Sequence, residues 1–331
     1  MKKKIILIEI FILLIFYISS YGEKKLDDLG RVVVGDKFGI VDKTGNLVVK
    51  NLNYDFIFEF KEGFAGVKKG DKWGYINKSG AQVIELRFDY ASSFSNGIAL
   101  VELNEKYGYI NKLGEFVINP SFDDAGDFCE DLAYVLIGNK YGFINRFGEV
   151  VIKPQYEYCN DFSEGLAAVR IKGNWGAISK DGKVVIEPKY GGLTGFSEST
   201  AIVFINRKSG YVNKTGELII EPKFGRTGEF SEGLAFANKD DKYGYIDKTG
   251  RFVIEPQFEF AWDFSDGLAA VKVGKKFGYI DKNGKIVIDI QFDYAHEFSN
   301  EIEGLAYVET KLINGYIDKK GKYICKFNMD K

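Results

Sequence analysis

One octapeptide recurs nine times along this chain, and its spacing limits the fold more than any other feature. In its clearest copy it reads Phe277-Gly278-Tyr279-Ile280-Asp281-Lys282-Asn283-Gly284. The first glycine falls at Gly39, Gly74, Gly108, Gly142, Gly176, Gly210, Gly244, Gly278 and Gly315, and the second always follows six residues later. The gaps between copies are 35, then 34 six times running, then 37. A fixed period of this size is the mark of tandem units that cannot bury their faces alone and must lean on their neighbours. Eight units of 34 take up 272 of the 331 residues, so the chain has no room for a separate domain of ordinary size.

Residues 264–298 show what one unit wants to be. Phe264-Ser265-Asp266-Gly267 is a turn, with a buried aromatic on one side and a glycine free to take positive φ. Ala269, Val271 and Val273 then alternate with other residues, the period of a half-buried strand. A polar turn leads into a second strand, Phe277 to Asp281, interrupted by Gly278, which is costly unless something lies against it. Asp281-Lys282-Asn283-Gly284 is a hairpin connection, and Ile286-Val287-Ile288 forms a third, β-branched strand. The connector often opens with Glu-Pro, as at Glu187-Pro188, Glu221-Pro222 and Glu255-Pro256, where proline is expected to end the strand. An aromatic follows two residues later, at Phe122, Tyr156, Tyr190, Phe224 and Phe258. The expected fold is therefore all-β: a tandem repeat of three-stranded antiparallel meanders of 34 residues, in an open superhelical or solenoid array. A closed β-propeller is the alternative, disfavoured because its blades usually need four strands and about 40 residues. The glycine after each aromatic is expected to be the point where one unit touches the next.

At Lys72-Trp73-Gly74-Tyr75-Ile76 and Asn174-Trp175-Gly176, with the Lys-x-Gly turn and the Glu-Pro-x-aromatic segment, the chain resembles the bacterial WG-repeat, or KWG-repeat, family. The resemblance covers roughly residues 32–325, although tryptophan itself stands in only two of the nine copies. It implies β-rich tandem architecture and an interaction role, with no defined reaction.

The ends and the composition add a compartment. Met1 is followed by three lysines, an apolar run from Ile5 to Ile18 broken only by Glu9, and a small-residue end at Ser20-Tyr21-Gly22. This reads as a signal peptide over 1–22, followed by a short leader at 23–31 and the repeat array at 32–331. The expected location is extracytoplasmic: secreted, periplasmic or cell-surface. The apolar run falls short of the roughly 20 residues needed to span a bilayer, so membrane contact is expected only through that segment. Lys+Arg 45 against Asp+Glu 47 is nearly balanced and gives no reason to expect a nucleic-acid partner. Cys129, Cys159 and Cys325 have no metal-ligand spacing. Cys159 stands where other units have Ala125, Ala261 and Ala295, so it reads as a small buried residue, with a Cys129–Cys159 disulfide left open.

Candidate chemistry is thin. Asp281-Lys282-Asn283-Gly284 has glycine and lysine where a calcium loop cannot take them, so turn chemistry explains it. Glu187, Glu221 and Glu255 recur in register and read as solvated strand ends rather than an acid/base pair. His296 occupies a position held by Asn160 and Trp262 elsewhere and reads as a surface or linker residue. No cofactor or enzymatic activity is expected. Lysines such as Lys112, Lys214 and Lys282 would form a row that could attract an anionic polymer. The aromatics after the first glycine, among them Tyr75, Tyr109 and Tyr245, would form a second row, able to stack on sugar rings if exposed; with Trp262 they make the expected binding surface. Three breaks in the pattern are further candidates: residues 190–200, which lose the usual acidic residue and the box glycine; the insertion around Glu301-Ile302-Glu303; and Trp262. The expected function is an exported, non-catalytic scaffold for protein–protein interaction, its partner unidentified. A module binding cell-wall or cell-surface glycan through aromatic ladders is the alternative.

Overall fold

The computed structural model describes residues 29–34, 37–299 and 302–328. The segment assigned to export (1–22), most of the leader and Glu301 of the insertion lie outside the described residues. Among the described residues every regular element is a β-strand, and these strands form nine consecutive antiparallel sheets. The second sheet shows the plan, with strands Phe56–Ile57, Phe64–Lys69, Lys72–Asn77 and Gln82–Phe88 hydrogen-bonded in chain order. The middle strand, Lys72–Asn77, is buried on both faces along most of its length, because a neighbouring sheet covers each side.

These sheets are blades of a closed ring. Each hydrophobic cluster joins two adjacent sheets, as Tyr109 and Ile118 of the third sheet join Phe128 and Val135 of the fourth. An open row of nine sheets has eight such seams, and the described residues form nine. The ninth packs Val32 and Val41 of the first sheet against Tyr307, Tyr316 and Cys325 of the last. The open superhelical array expected from the sequence is thus replaced by its alternative, a nine-bladed β-propeller. We number the blades in chain order.

The blade has four strands rather than the three expected. The connector supplies the fourth, two residues long in most blades, as in Tyr90–Ala91 and Phe260–Ala261, and extended to Tyr158–Ser163 in blade five. These short strands lie at the inner edge of the ring, where neighbouring blades come closest. The long last strand of each blade forms the outer edge and leaves Val83, Val117, Val151 and Val253 in solvent. Two residues suffice because the inner edge of a ring is narrow, so a four-stranded blade fits into 34 residues. The Glu-Pro pair does not end a strand either. Val184–Tyr190 runs straight through Glu187-Pro188, on an outer strand and at a bulge, where proline leaves no ladder bond unmade. Blade one lacks a described inner strand, and in blade seven the inner strand shrinks to the single bridge Thr227–Ala237.

The two glycines of the octapeptide have different work. The bulge shifts the register between Trp175↔Tyr190 and Ala177↔Ile186, which drives the outer strand against Gly176 of the same blade. A methyl group on Gly176 would sit 2.3 Å from the Ile186 carbonyl oxygen. The first glycine therefore serves its own blade, and the expectation that it marks the contact between units is corrected. The second glycine makes that contact. Gly114, Gly148 and Gly182 lie against Ile84, Ile118 and Ile152 of the preceding blade.

Candidate functional site

The seams explain where the expected aromatic row goes. Tyr75, Tyr109 and Tyr245 are buried between blades, each in contact with the phenylalanine that opens the next blade's box turn, Phe94, Phe128 and Phe264, at centroid distances of 4.7–4.8 Å. Their hydroxyls donate to backbone carbonyls of the next blade: Tyr75 to Ser92, Tyr109 to Gly126 and Tyr245 to Trp262, at 2.6–2.7 Å. A buried phenol needs such an acceptor, and the bond fixes the angle between blades. These tyrosines are packing groups, so the binding surface assigned to them is corrected, and a glycan cannot stack on them. Trp262 is half-buried near the inner edge, edge-on to Phe260 at 5.0 Å.

The lysine row is also committed to seams. The box turn places Glu62 and Gly63 at φ 54° and 88°, the primed hairpin geometry that a glutamate adopts only at some cost. In that conformation the Glu62 carboxylate reaches the next blade, where it accepts the amides of Asn96 and Gly97 and pairs with Lys112 at 3.0 Å. The same clamp recurs as Glu164–Lys214, Glu198–Lys248 and Glu232–Lys282, at 3.0–3.1 Å. Each pair is solvated and contributes little by itself, but repetition around the ring fixes one face. The turns next to these lysines behave as expected from the sequence: Asp281 Oδ1 accepts the amides of Asn283 and Lys285 at 2.9 Å.

A feature missed in the sequence lies at the inner rim. The residue before each box phenylalanine is Glu59, Asp127, Asp161, Glu229, Asp263 or Glu297, with Ser93 and Gly195 at the two remaining positions. The acidic recurrence at intervals of 34 was the available signal. The side chains crowd toward the preceding blade. Ser92 donates to Asp127 at 2.6 Å, whereas Asp161 and Asp263 face Gly126 and Gly228, so one oxygen of each has no protein partner. Desolvation, with the Asp127 charge adding to it, pushes the Asp161 carboxyl up to about 7. Desolvation alone brings Glu229 to about 7. Asp263 is pushed well above the usual carboxylate range by desolvation and by the charges of Glu297 and Glu229. His296 is driven the other way, down to about 4, by desolvation and by Arg31, against the pull of Glu59. Among the described residues no three His, Cys, Asp or Glu side chains come together as a metal site. The three cysteines are free thiols, and Cys159 is buried as its alanine-equivalent position predicts.

The outer turn face carries a second unforeseen feature. The third residue of the Asx turn is small or polar in most blades, as at Thr44, Ser79, Asp181, Thr215, Thr249, Asn283 and Lys320. In blades three and four it is Leu113 and Phe147, which are 77% and 85% exposed. The turn itself does not use these side chains. Asn111 Oδ1 accepts the amides of Leu113 and Glu115, and Asn145 Oδ1 those of Phe147 and Glu149. Two large apolar groups therefore stand in solvent at equivalent places on adjacent blades.

Comparison with known proteins bears on the fold and the family. The family model described as "WG containing repeat" matches residues 38–73, 73–107, 107–141, 141–175, 175–208, 210–243, 243–277 and 277–311. A comparison with curated proteins finds no match. Among solved structures, the chain is similar to one titled as the crystal structure of the eukaryotic initiation factor. That pair is 12% identical over 91% of this chain and 96% of the other, with a TM-score of 0.66. It is also similar to apo AztD from Citrobacter koseri, 12% identical over 90% of this chain and 93% of that one, with a TM-score of 0.45. At such identities the likeness concerns the fold alone.

Proposed function

The chain belongs to the family of WG-containing repeat proteins, and on that premise we propose that it is an exported, non-catalytic scaffold that holds a protein partner on the turn face of its ring. The observation that carries this reading is the pair Leu113 and Phe147. A repeat array solves its packing the same way in every blade, so a residue that departs from the pattern without helping its own blade is explained by what lies outside it. Both side chains belong to types enriched in protein interfaces or easily buried there, and full burial of each is worth roughly 1.5–3 kcal/mol. Export rests on the sequence of residues 1–22 and on nothing in the ring.

The test is site-specific photocrosslinking in the native cell envelope, with the crosslinking side chain at position 147 or, as control, at position 249 on another blade. One defined partner is expected at position 147 alone, and the double variant Leu113→Ser/Phe147→Ser should lose it without a change in melting temperature. Equal capture at both positions, or capture that survives the double variant, would refute the assignment of this face.

A further inference from the structure

The face of the ring opposite the Asx turns carries a second belt of ion pairs, and on two consecutive blades the acids of that belt are missing. The hairpin between the second and third strands of each blade ends in a lysine or its equivalent. Seventeen residues later, on the next blade, comes an acid. Lys72 pairs with Asp89 at 2.6 Å, Lys242 with Glu259 at 2.8 Å and Lys276 with Asp293 at 2.7 Å, while Lys106 pairs with Asp123. The same acids cap the hairpin tip of their own blade. Asp89 accepts the Asn104 amide at 2.8 Å and Glu259 that of Gly274 at 3.1 Å.

In blades six and seven the acid is gone, replaced by Gly191 and Gly225. Lys208 has lost its partner, since the position seventeen residues on is Gly225. The hairpin beside it reads Asn206-Arg207, where blade three has Asn104-Glu105 with matching positive φ angles, so the fold is kept and the charge is reversed. Among the described residues neither Arg207 nor Lys208 has an ion pair, and both are exposed.

The break also opens a groove. Gly191 and Gly192 replace an acid and, in most blades, an aromatic ring, and Phe204 turns over Gly192 to cover part of the space. Phe204 is 40% exposed at a position held by Lys68, Glu102, Arg170 and Lys272 in other blades. A groove of about 480 Å³ follows, lined by Lys189, Tyr190, Gly191, Phe204, Ile205 and Asn206, with Leu218 beside them. Its floor is mostly apolar. Its hairpin end runs on into Arg207 and Lys208, and Lys189 lies over the Tyr190 ring at 5.2 Å.

We propose that this groove between blades five and six is a docking site for an acidic peptide segment of a partner protein, with apolar side chains seated on Phe204, Tyr190 and Leu218 and carboxylates paired to Arg207, Lys208 and Lys189. Charge complementarity selects the occupant. The array keeps an acid seventeen residues after the equivalent lysines Lys72, Lys106, Lys140, Lys242 and Lys276 and drops it after Lys208, next to the groove. A concave floor that takes a few side chains suits a peptide better than a flat lipid surface. This site lies on the face opposite Leu113 and Phe147, so it stands or falls independently of them.

The probe is a short fluorescein-labelled peptide alternating acidic residues with leucine and phenylalanine, titrated with the full chain and followed by anisotropy. A peptide with lysine for each acid, one with serine for each apolar residue, and phosphatidylserine vesicles serve as comparisons. The acidic–apolar peptide is expected to bind best and to weaken as salt rises. Arg207→Glu and Lys208→Asn install residues that the array itself uses at Glu105 and Asn174, and each should weaken binding at least tenfold without lowering the melting temperature. Gly225→Glu restores the missing partner of Lys208, where only the end of the Asn238 side chain comes close, and should also weaken binding at least tenfold. Leu113→Ser should leave it unchanged. Wild-type affinity in Gly225→Glu and Arg207→Glu, no preference for the acidic peptide, or binding to vesicles alone would each overturn the proposal.

Discussion

The seam between blades nine and one does the same work as the seam between blades three and four, with different parts. In the ordinary seam Tyr109 donates to the Gly126 carbonyl, which sits next to the inner strand of blade four, and Gly148 touches the methyl groups of Ile118. At the closing seam Tyr316 donates to Arg31, which lies on a longer strand because blade one has no described inner strand. Gly45 meets the backbone of blade nine at Ile324 and the Cβ of Cys325. Asn314 stands where other blades have a ring such as Trp73 or Phe277, and its amide bonds both the N–H and the C=O of Val33. The repeat thus supplies the geometry of closure, while the particular residues at the ends supply the specificity that stops the ring at nine blades.

The two seams differ most in their response to one substitution placed in both. Gly45→Ala and Gly148→Ala share a positive φ, 86° and 81°, and each should lose about 1 kcal/mol from that alone. They differ in what the methyl group meets. In Gly148→Ala it finds the end of Ile118 at 3.4 Å, which can shift. In Gly45→Ala it would sit 2.3 Å from the Ile324 carbonyl oxygen, so the seam itself must part. Urea unfolding should show about 1 kcal/mol lost for Gly148→Ala and about 3 kcal/mol or more for Gly45→Ala. Equal losses would mean that the closing seam carries no more strain than the others.

A smaller effect is expected from the polar residues at the ring position. Asn314→Ala leaves two part-buried backbone groups of Val33 without their partner and should cost about 1–2 kcal/mol. Ser209 holds the same position in blade six, is fully buried, and has a hydroxyl with no partner. Ser209→Ala removes that unsatisfied group and should leave stability unchanged or raise it by up to about 1 kcal/mol. The opposite signs at equivalent positions would show that Asn314 is there to close the ring and that Ser209 is a lapse in the array.

How much of this could be read beforehand follows from where each signal lives. The period, the three longer strands and the turns are local, so Ala269, Val271 and Val273 or Asp281 and Gly284 declare them within a few residues. In most blades the inner strand is two residues long and gives no period to detect, as Tyr90–Ala91 shows. Closure depends on pairs such as Arg31 and Tyr316, whose relation no window of sequence contains. The face of Tyr75 could not be decided because both faces of that strand are covered, which erases the alternation that marks a surface. Leu113 and Phe147 were legible as apolar residues at a polar turn position, and the carboxylates before each box as a recurrence of 34. The loss of acids at Gly191 and Gly225 was visible too, but its meaning needed the partner seventeen residues upstream, on the neighbouring blade.

Ordinary inner-rim seams carry carboxyls with raised folded-state pKa, and the closing seam carries a histidine with a lowered one. Asp161, near 3.8 when unfolded and about 7 in the ring, binds more protons folded than unfolded between those values. Its stabilising contribution is complete below about pH 4 and is lost as pH rises through 7. His296, near 6.5 unfolded and about 4 in the ring, binds fewer protons folded, so its contribution is complete above about pH 6.5 and is lost as pH falls through 4. Asp161→Asn should therefore raise stability at pH 8 by on the order of 1 kcal/mol and flatten the decline between pH 4 and 8. His296→Gln should flatten the acid side and leave the alkaline side as it was. Melting temperatures across that range for both variants separate the two seams, because a shared mechanism would move both limbs together, and independent seams move one limb each.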